Sequence, residues 1–231
     1  MRQIPLAIAP EAQPDFDNFV PGGNGAPLAH LRSLAWPSAP VCLWGPASGG
    51  KTHLLRALAA RVLAAGQQVA WFDDAEPWPW ILSPAWSLVV VDRAEALDEA
   101  AQRAAFALFE DATTHGVQWA AAGRLPPVDL PVREDLRTRL AWGHVFALQP
   151  LADAETRAAL RREADRRGIF LSDEVMDYVL TRFERDLSHL MSLLDRLDEF
   201  GLARGRRITV PLVRQMFDEE GAAGGALGVD A

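Results

Sequence analysis

Gly45-Pro46-Ala47-Ser48-Gly49-Gly50-Lys51-Thr52 is the stretch that decides the fold. It fits G-x-x-x-x-G-K-[ST] and lies between a short apolar run, 41–44, and a segment with helical apolar spacing, 51–65, that stops at Gly66. The glycines free backbone N–H groups to curl around phosphate oxygens, and the following helix points its positive end at them. Lys51 is then placed for the β- and γ-phosphates, and the Thr52 hydroxyl for Mg2+. The basic residues single out the same position. Lys51 is the only lysine, and every other basic residue is arginine. Position 51 therefore calls for a compact ammonium that a planar guanidinium does not replace.

Outward from this loop, 68–72, 88–91, 117–122 and 145–148 read as four further short strands, separated by a helix over 98–115. Strand and helix in alternation predict a five-stranded parallel sheet covered on both faces. Behind Pro150 the pattern becomes helical only: 153–167, 173–182, 186–203 and 211–219 are amphipathic, with Ser172 and Thr209 as helix starts. The expected organisation is an extended tail over 1–14, an α/β nucleotide-binding domain over 15–150, a small all-α lid over 151–220 and a Gly/Ala-rich disordered end over 221–231.

The second chemical motif is Leu88-Val89-Val90-Val91-Asp92, an apolar strand ending in a carboxylate, with Asp92 placed to hold the metal's water shell beside the glycine loop. The residue that follows is Arg93, a cation that cannot accept a proton from an attacking water. Glu95 stands nearby in sequence, readable either as a compensating carboxylate or as a solvated helix-start residue. The expectation is sound nucleotide binding with weak hydrolysis of its own.

The 231 residues are 49% hydrophobic and 23% charged, enough for a sizeable core. A net charge of −8 and a pI of about 5.1 argue against direct binding to a nucleic-acid backbone, so contact with DNA is expected only through a partner. Cys42, the single cysteine, lies in an apolar run and reads as a buried small hydrophobe. The five histidines have no metal-ligand spacing. Neither the N-terminus nor the proline-interrupted stretch 78–91 provides a signal peptide or membrane span, so the expected location is cytoplasmic and off the membrane. The arginine-rich helix carrying Arg157, Arg161, Arg162, Arg166 and Arg167 reads as a solvated face paired with Glu155, Glu163 and Asp165, with contact to DNA near a partner as the alternative. Trp78, Trp80 and Trp86 are assigned to the core or a protein contact.

Phe16-Asp17-Asn18-Phe19-Val20, with Gly23 and Asn24, resembles the segment that straps across adenine in the DnaA/Hda family of AAA+ proteins. Arg137-Thr138-Arg139-Leu140-Ala141-Trp142-Gly143 resembles that family's arginine-finger region, with Arg139 at the finger position; from spacing alone Arg139 is equally an ordinary surface arginine beside Arg133 and Arg137. Phe183-Glu184-Arg185-Asp186-Leu187 resembles the sensor 2 helix, which brings Arg185 to the phosphates. The resemblance spans roughly residues 15–219 in order. One departure is 119–123, which lacks the Ser, Thr or Asn that sensor 1 commonly offers the γ-phosphate.

The initiator branch of the family continues into a helix-turn-helix DNA-binding domain. This chain stops after the lid, which resembles the Hda branch. Gln3-Ile4-Pro5-Leu6-Ala7-Ile8 is similar to that branch's sliding-clamp peptide: an extended strand puts Ile4, Leu6 and Ile8 on one side, with the Gln3 amide at the pocket rim. Read alone, the same residues are an exposed tail. The resemblance implies an adenine nucleotide, ADP or ATP with Mg2+, held by Phe19, Val20, Gly45, Ser48, Gly49, Gly50, Lys51, Thr52, His53, Asp92 and Arg185, with Thr52 and Asp92 on the metal. It implies DnaA and the DNA polymerase III sliding clamp (beta subunit) as partners, with Arg139 acting in trans on DnaA-bound ATP. Oligomeric state is left open. The alternatives are a self-sufficient AAA+ ATPase such as a helicase loader, and a clamp adaptor without effect on DnaA.

Overall fold

The computed structural model describes residues 13–74, 79–183 and 186–225, with backbone only for 221–225. The clamp-type residues Gln3, Ile4, Leu6 and Ile8, together with Trp78 and Arg185, lie outside the described residues. The chain forms two compact units, 13–151 and a second that holds 152–225.

In the first unit the elements run α1 (Gly25–Ser33), β1 (Val41–Trp44), α2 (Lys51–Ala64), β2 (Gln68–Phe72), β3 (Trp86–Val91), α3 (Glu99–Thr114), β4 (Gln118–Gly123), α4 (Glu134–Leu140) and β5 (His144–Ala147). The five strands form one sheet in the order β2-β3-β4-β1-β5, and every neighbouring pair is parallel. The predicted sheet is present. Two short helices, α1 and α4, went unread in the sequence, and β3 begins two residues earlier than its β-branched run.

Alternation along the strands decides what each face packs against. Val41, Leu43, Leu88, Val90, Ala120 and Ala122 turn to the side of Leu54, Leu55, Leu58 and Val62 on α2. Cys42, Val89, Val91, Trp119 and Ala121 turn to the other side, against Ala105, Leu108 and Phe109 on α3 and Leu136 and Leu140 on α4. Both faces are therefore apolar, as a parallel sheet requires. Cys42 is buried as expected, and burial pushes its thiol up to about 12. Trp80 packs on Phe72 with ring centroids 4.6 Å apart, and Trp86 meets the same phenylalanine edge-on.

The second unit holds α5 (Asp153–Arg166), α6 (Asp173–Arg182), α7 (Leu187–Arg204) and α8 (Val210–Gly225) around a core that includes Leu160, Val175, Met176, Leu193, Leu197 and Leu212. Ser172 caps α6 by accepting from Val175 N–H at 3.3 Å. α8 runs on through Gly225, which corrects the expected disordered end from 221: Ala222 and Ala223 are strong helix formers, so nothing stops the helix at Gly221. The arginine face is ion-paired as read, through Glu163 on the same helix and also through acids from other helices. Arg157 and Arg161 pair with Asp173, Arg157 also with Asp177, and Arg167 with Asp195. Glu163 serves Arg166 and Arg167, and those guanidinium hydrogen bonds hold its carboxyl at about 2. Glu155 caps α5, accepting from Ala152 N–H at 2.8 Å.

Leu212 is fully buried in this helical core. Leu212→Ala removes contacts that the neighbours cannot refill and costs about 2–5 kcal/mol. Urea denaturation followed by circular dichroism will show an early helical transition that the parent protein lacks.

Candidate phosphate site

β1 delivers the glycine loop to the carboxyl edge of the sheet. Gly45 has φ +147°, and a Cβ there would lie 2.3 Å from the Leu148 carbonyl oxygen. The backbone thus passes β5's exit too closely for any side chain. The ladder continues past the strands, with Gly45 N–H donating to Gly123 O at 3.2 Å and Leu148 N–H to Trp44 O at 2.7 Å. A tight turn over Ala47–Gly49 follows, and Gly50 takes a left-handed conformation, φ +82°, immediately before α2. A Cβ on Gly50 would collide with Phe19 Cε2 at 2.7 Å. The N-terminal strap therefore rests directly on the loop.

Lys51 is buried at the start of α2, and its ammonium donates to Gly45 O and Pro46 O, both at 2.7 Å. Burial pushes its pKa down, opposed first by Glu95 and then by Asp92. Thr52 Oγ1 donates to Asp92 Oδ2 at 2.7 Å, and Asp92 Oδ1 accepts from Arg93 N–H at 2.9 Å. The fold brings the two proposed metal-side residues, forty positions apart in sequence, into direct contact. A hydroxyl and a carboxylate side by side at a helix start are hard oxygen donors of the kind Mg2+ takes.

Three further placements concern the strap. Phe19 and His53 rings sit 5.3 Å apart, and His53 Nε2 is 2.9 Å from Asp15 O. Burial lowers the His53 pKa, opposed by the hydrogen bond to Asp15. Asn24 is buried and double-bridged to Gln149, accepting from its N–H and donating to its carbonyl, both at 2.8 Å. Arg61 donates to the carbonyls of Leu31, Arg32 and Leu34 and lies over Trp36, fastening α1 and the strap behind it to α2. Phe16 is buried in the same core, while Val20 in the strap and Ser48 in the loop are half-buried.

Arg93 adopts a left-handed conformation, φ 52°, and its guanidinium pairs with Asp73 and Asp74. It points to acids beyond β2 and brings no carboxylate to the position after Asp92. At the strand ends, the sequence reading weighed Glu95 without its partner and missed Arg124. Glu95 reaches across to β4, where its Oε2 accepts from Arg124 N–H at 3.1 Å and its Oε1 lies 3.3 Å from Arg124 Nε. Arg124 thus occupies the strand end where a polar sensor was sought one residue too early. Arg139 lies on α4, its Nε 2.7 Å from Glu110 Oε1 but off the line of a straight hydrogen bond, and its guanidinium 5.8 Å from the Phe106 ring centre.

Residues 153–217 match the family model described as "Hda, lid domain". Among solved structures, the chain is similar to domain III of the Thermotoga maritima replication initiation protein DnaA, with TM-score 0.72 and 18% identity over 91% of this chain and 98% of that one. It is also similar to AMPPCP-bound DnaA from Aquifex aeolicus, with TM-score 0.66 and 18% identity over 81% of this chain and 66% of that one. The Thermotoga maritima RuvB Holliday junction branch migration motor aligns with TM-score 0.57 and 17% identity, over 78% and 61% of the two chains. Residues 153–217 thus match an Hda lid, and the chain as a whole shares the fold of the DnaA AAA+ domain.

Proposed function

We propose that this protein is an adenine-nucleotide-binding regulator of replication initiation that docks on the sliding clamp through Gln3–Ile8 and stimulates hydrolysis of ATP bound to DnaA. The observation that carries the reading is the mismatch between a complete phosphate cradle and incomplete hydrolytic equipment. Gly45, Gly50, Lys51 and Thr52 have the conformations and contacts that a phosphate site needs. The position after Asp92, however, presents Arg93 turned to Asp73 and Asp74. Such a domain binds nucleotide better than it consumes it. The AMPPCP-bound Aquifex relative supports an adenine ligand, ADP or ATP.

In this reading Phe19, Val20 and His53 border the base, and Gly45, Ser48, Gly49 and Gly50 turn N–H groups to the phosphates. Lys51 releases Gly45 O and Pro46 O to take phosphate oxygens. Thr52 and Asp92 hold Mg2+, which when bound supplies positive charge to the same oxygens. Arg185, outside the described residues, is assigned to the phosphates by the family resemblance alone. Arg139 acts outside the chain's own site, supplying positive charge to the phosphoryl group transferred on DnaA.

One observation favours a second reading, a self-sufficient ATPase: Glu95 places a carboxylate among the charges around Lys51. Two assays on the full chain separate the readings. A clamp pull-down is expected to capture the protein and to fail for a chain with Gln3 and Leu6 changed to alanine. Hydrolysis of DnaA-bound ATP is expected to rise on adding the protein with loaded clamp. Clamp capture with no rise leaves an adaptor, and turnover by the isolated protein that Lys51→Ala abolishes leaves an enzyme in its own right.

A further inference from the structure

Among the described residues, the Arg139 side chain meets two groups, both on α3: the Glu110 carboxylate and the Phe106 ring. Phe106 and Glu110 are four residues apart, so they share one face of the helix, and both are half-buried. Leu136 and Leu140 lay α4 against α3, sharing a core with Leu108 and Phe109. Arg139, next to Leu140, is thereby brought to Glu110. The neighbouring arginines are taken elsewhere, Arg103 by Glu99 and Arg133 by Asp135. Glu110 is left to Arg139.

The contact is held by charge rather than by a directed bond. Arg139 Nε lies 2.7 Å from Glu110 Oε1 and is shut off from water, yet it has no hydrogen bond of acceptable direction. A buried donor without a straight acceptor is a cost, and the charge on Glu110 offsets it. With that charge removed, the guanidinium has only the Phe106 ring, 5.8 Å away at its centre, to hold it down. Glu110 brings nothing to its own helix. It lies four residues before the last residue of α3, where a carboxylate faces the negative end of the helix dipole. Both partners are more than a third exposed, so the pair opens readily.

We propose that Glu110 is a positioning residue that holds the Arg139 guanidinium back against α3 and competes for it with the phosphoryl oxygens of the nucleotide on DnaA. The inference rests on the trans role given to Arg139 above. On engagement the guanidinium exchanges one half-exposed carboxylate for a denser negative charge, and its Nε leaves a place where it had no straight acceptor. Glu110 therefore restrains the stimulated rate, and it does so only through Arg139. A pair of this exposure restrains by a small factor, roughly two- to fivefold.

The test is hydrolysis of DnaA-bound ATP with loaded clamp, titrated with the full-length protein so that plateau rate and half-saturating concentration are read separately. Glu110→Gln keeps the side chain's size and removes its charge. Its plateau is expected to rise roughly two- to fivefold at unchanged half-saturation, because docking is untouched. In the Arg139→Ala background the same substitution is expected to change nothing, since the group it releases is gone. Glu110→Ala, which suits a helix, is the second variant and is expected to raise the plateau likewise. Melting curves check that each variant folds, and if Glu110→Gln does not, Glu110→Ala decides. A plateau at or below the parent's, or a gain that persists without Arg139, overturns the inference alone. No stimulation by the parent, or full stimulation by Arg139→Ala, overturns it together with the trans role itself.

Discussion

Lys51→Ala loses adenylate binding by about 10²–10⁴-fold and keeps its fold. The ammonium contributes charge-assisted hydrogen bonds to phosphate oxygens, each about 1.5–3 kcal/mol, and two of them amount to about 3–6 kcal/mol of affinity. In the structure those donors are held ready by the loop's own carbonyls, Gly45 O and Pro46 O. On the proposed reading, phosphate binding exchanges these neutral acceptors for anionic ones. Alanine leaves the two carbonyls short of a partner; Pro46 is exposed to water, while Gly45 is buried, so melting curves accompany the binding measurement. Lys51→Arg does not rescue, since the planar fork is longer and cannot point a compact charge into the cradle. Calorimetry with ADP and Mg2+ measures the loss, and an alanine variant within tenfold of the parent removes the phosphate site from the account.

The site was legible where chemistry is written contiguously. Gly45 to Thr52 carries its spacing in eight consecutive residues, and the strand that ends in Asp92 announces itself by an unbroken apolar run. The sheet was legible because β-branched and apolar clusters recur between helical stretches. What stayed hidden depends on neighbours in space. Glu95 and Arg124 become partners only once β3 and β4 are paired, and Arg139 meets Glu110 only once α4 packs on α3. α1 escaped because Pro27 in its first turn reads as loop, though a proline there costs no hydrogen bond. α4 escaped because seven residues, four of them charged, offer too little apolar periodicity. The partners of the arginine face were legible in part: Glu163 pairs with Arg166 and Arg167 as read, whereas the packing of α5 against its neighbours adds Asp173, Asp177 and Asp195.

In Arg139→Ala, stimulation of hydrolysis on DnaA falls by about 10³–10⁵, the range that one transition-state arginine supplies in trans, while clamp capture stays at the parent level. The contacts of Arg139 give the reason to expect a clean loss. Arg139 contributes to its own domain only an ion pair with Glu110 and a ring contact with Phe106, and both its side chain and that of Glu110 are more than a third exposed. Exposed pairs of this kind are worth about 0–1 kcal/mol, so alanine scarcely changes stability, and the guanidinium can leave Glu110 for a stronger anion at little cost. Arg139→Lys fails almost as fully, because a single point charge does not span two phosphoryl oxygens. Arg133, six residues earlier at the start of α4, is the control. Its guanidinium is committed to Asp135 in a two-point fork, at 2.7 and 3.2 Å, and Arg133→Ala is expected to retain stimulation. If Arg139→Ala stimulates as well as the parent, or if Arg133→Ala loses as much, the finger is not Arg139 and the solvated-arginine reading of α4 stands.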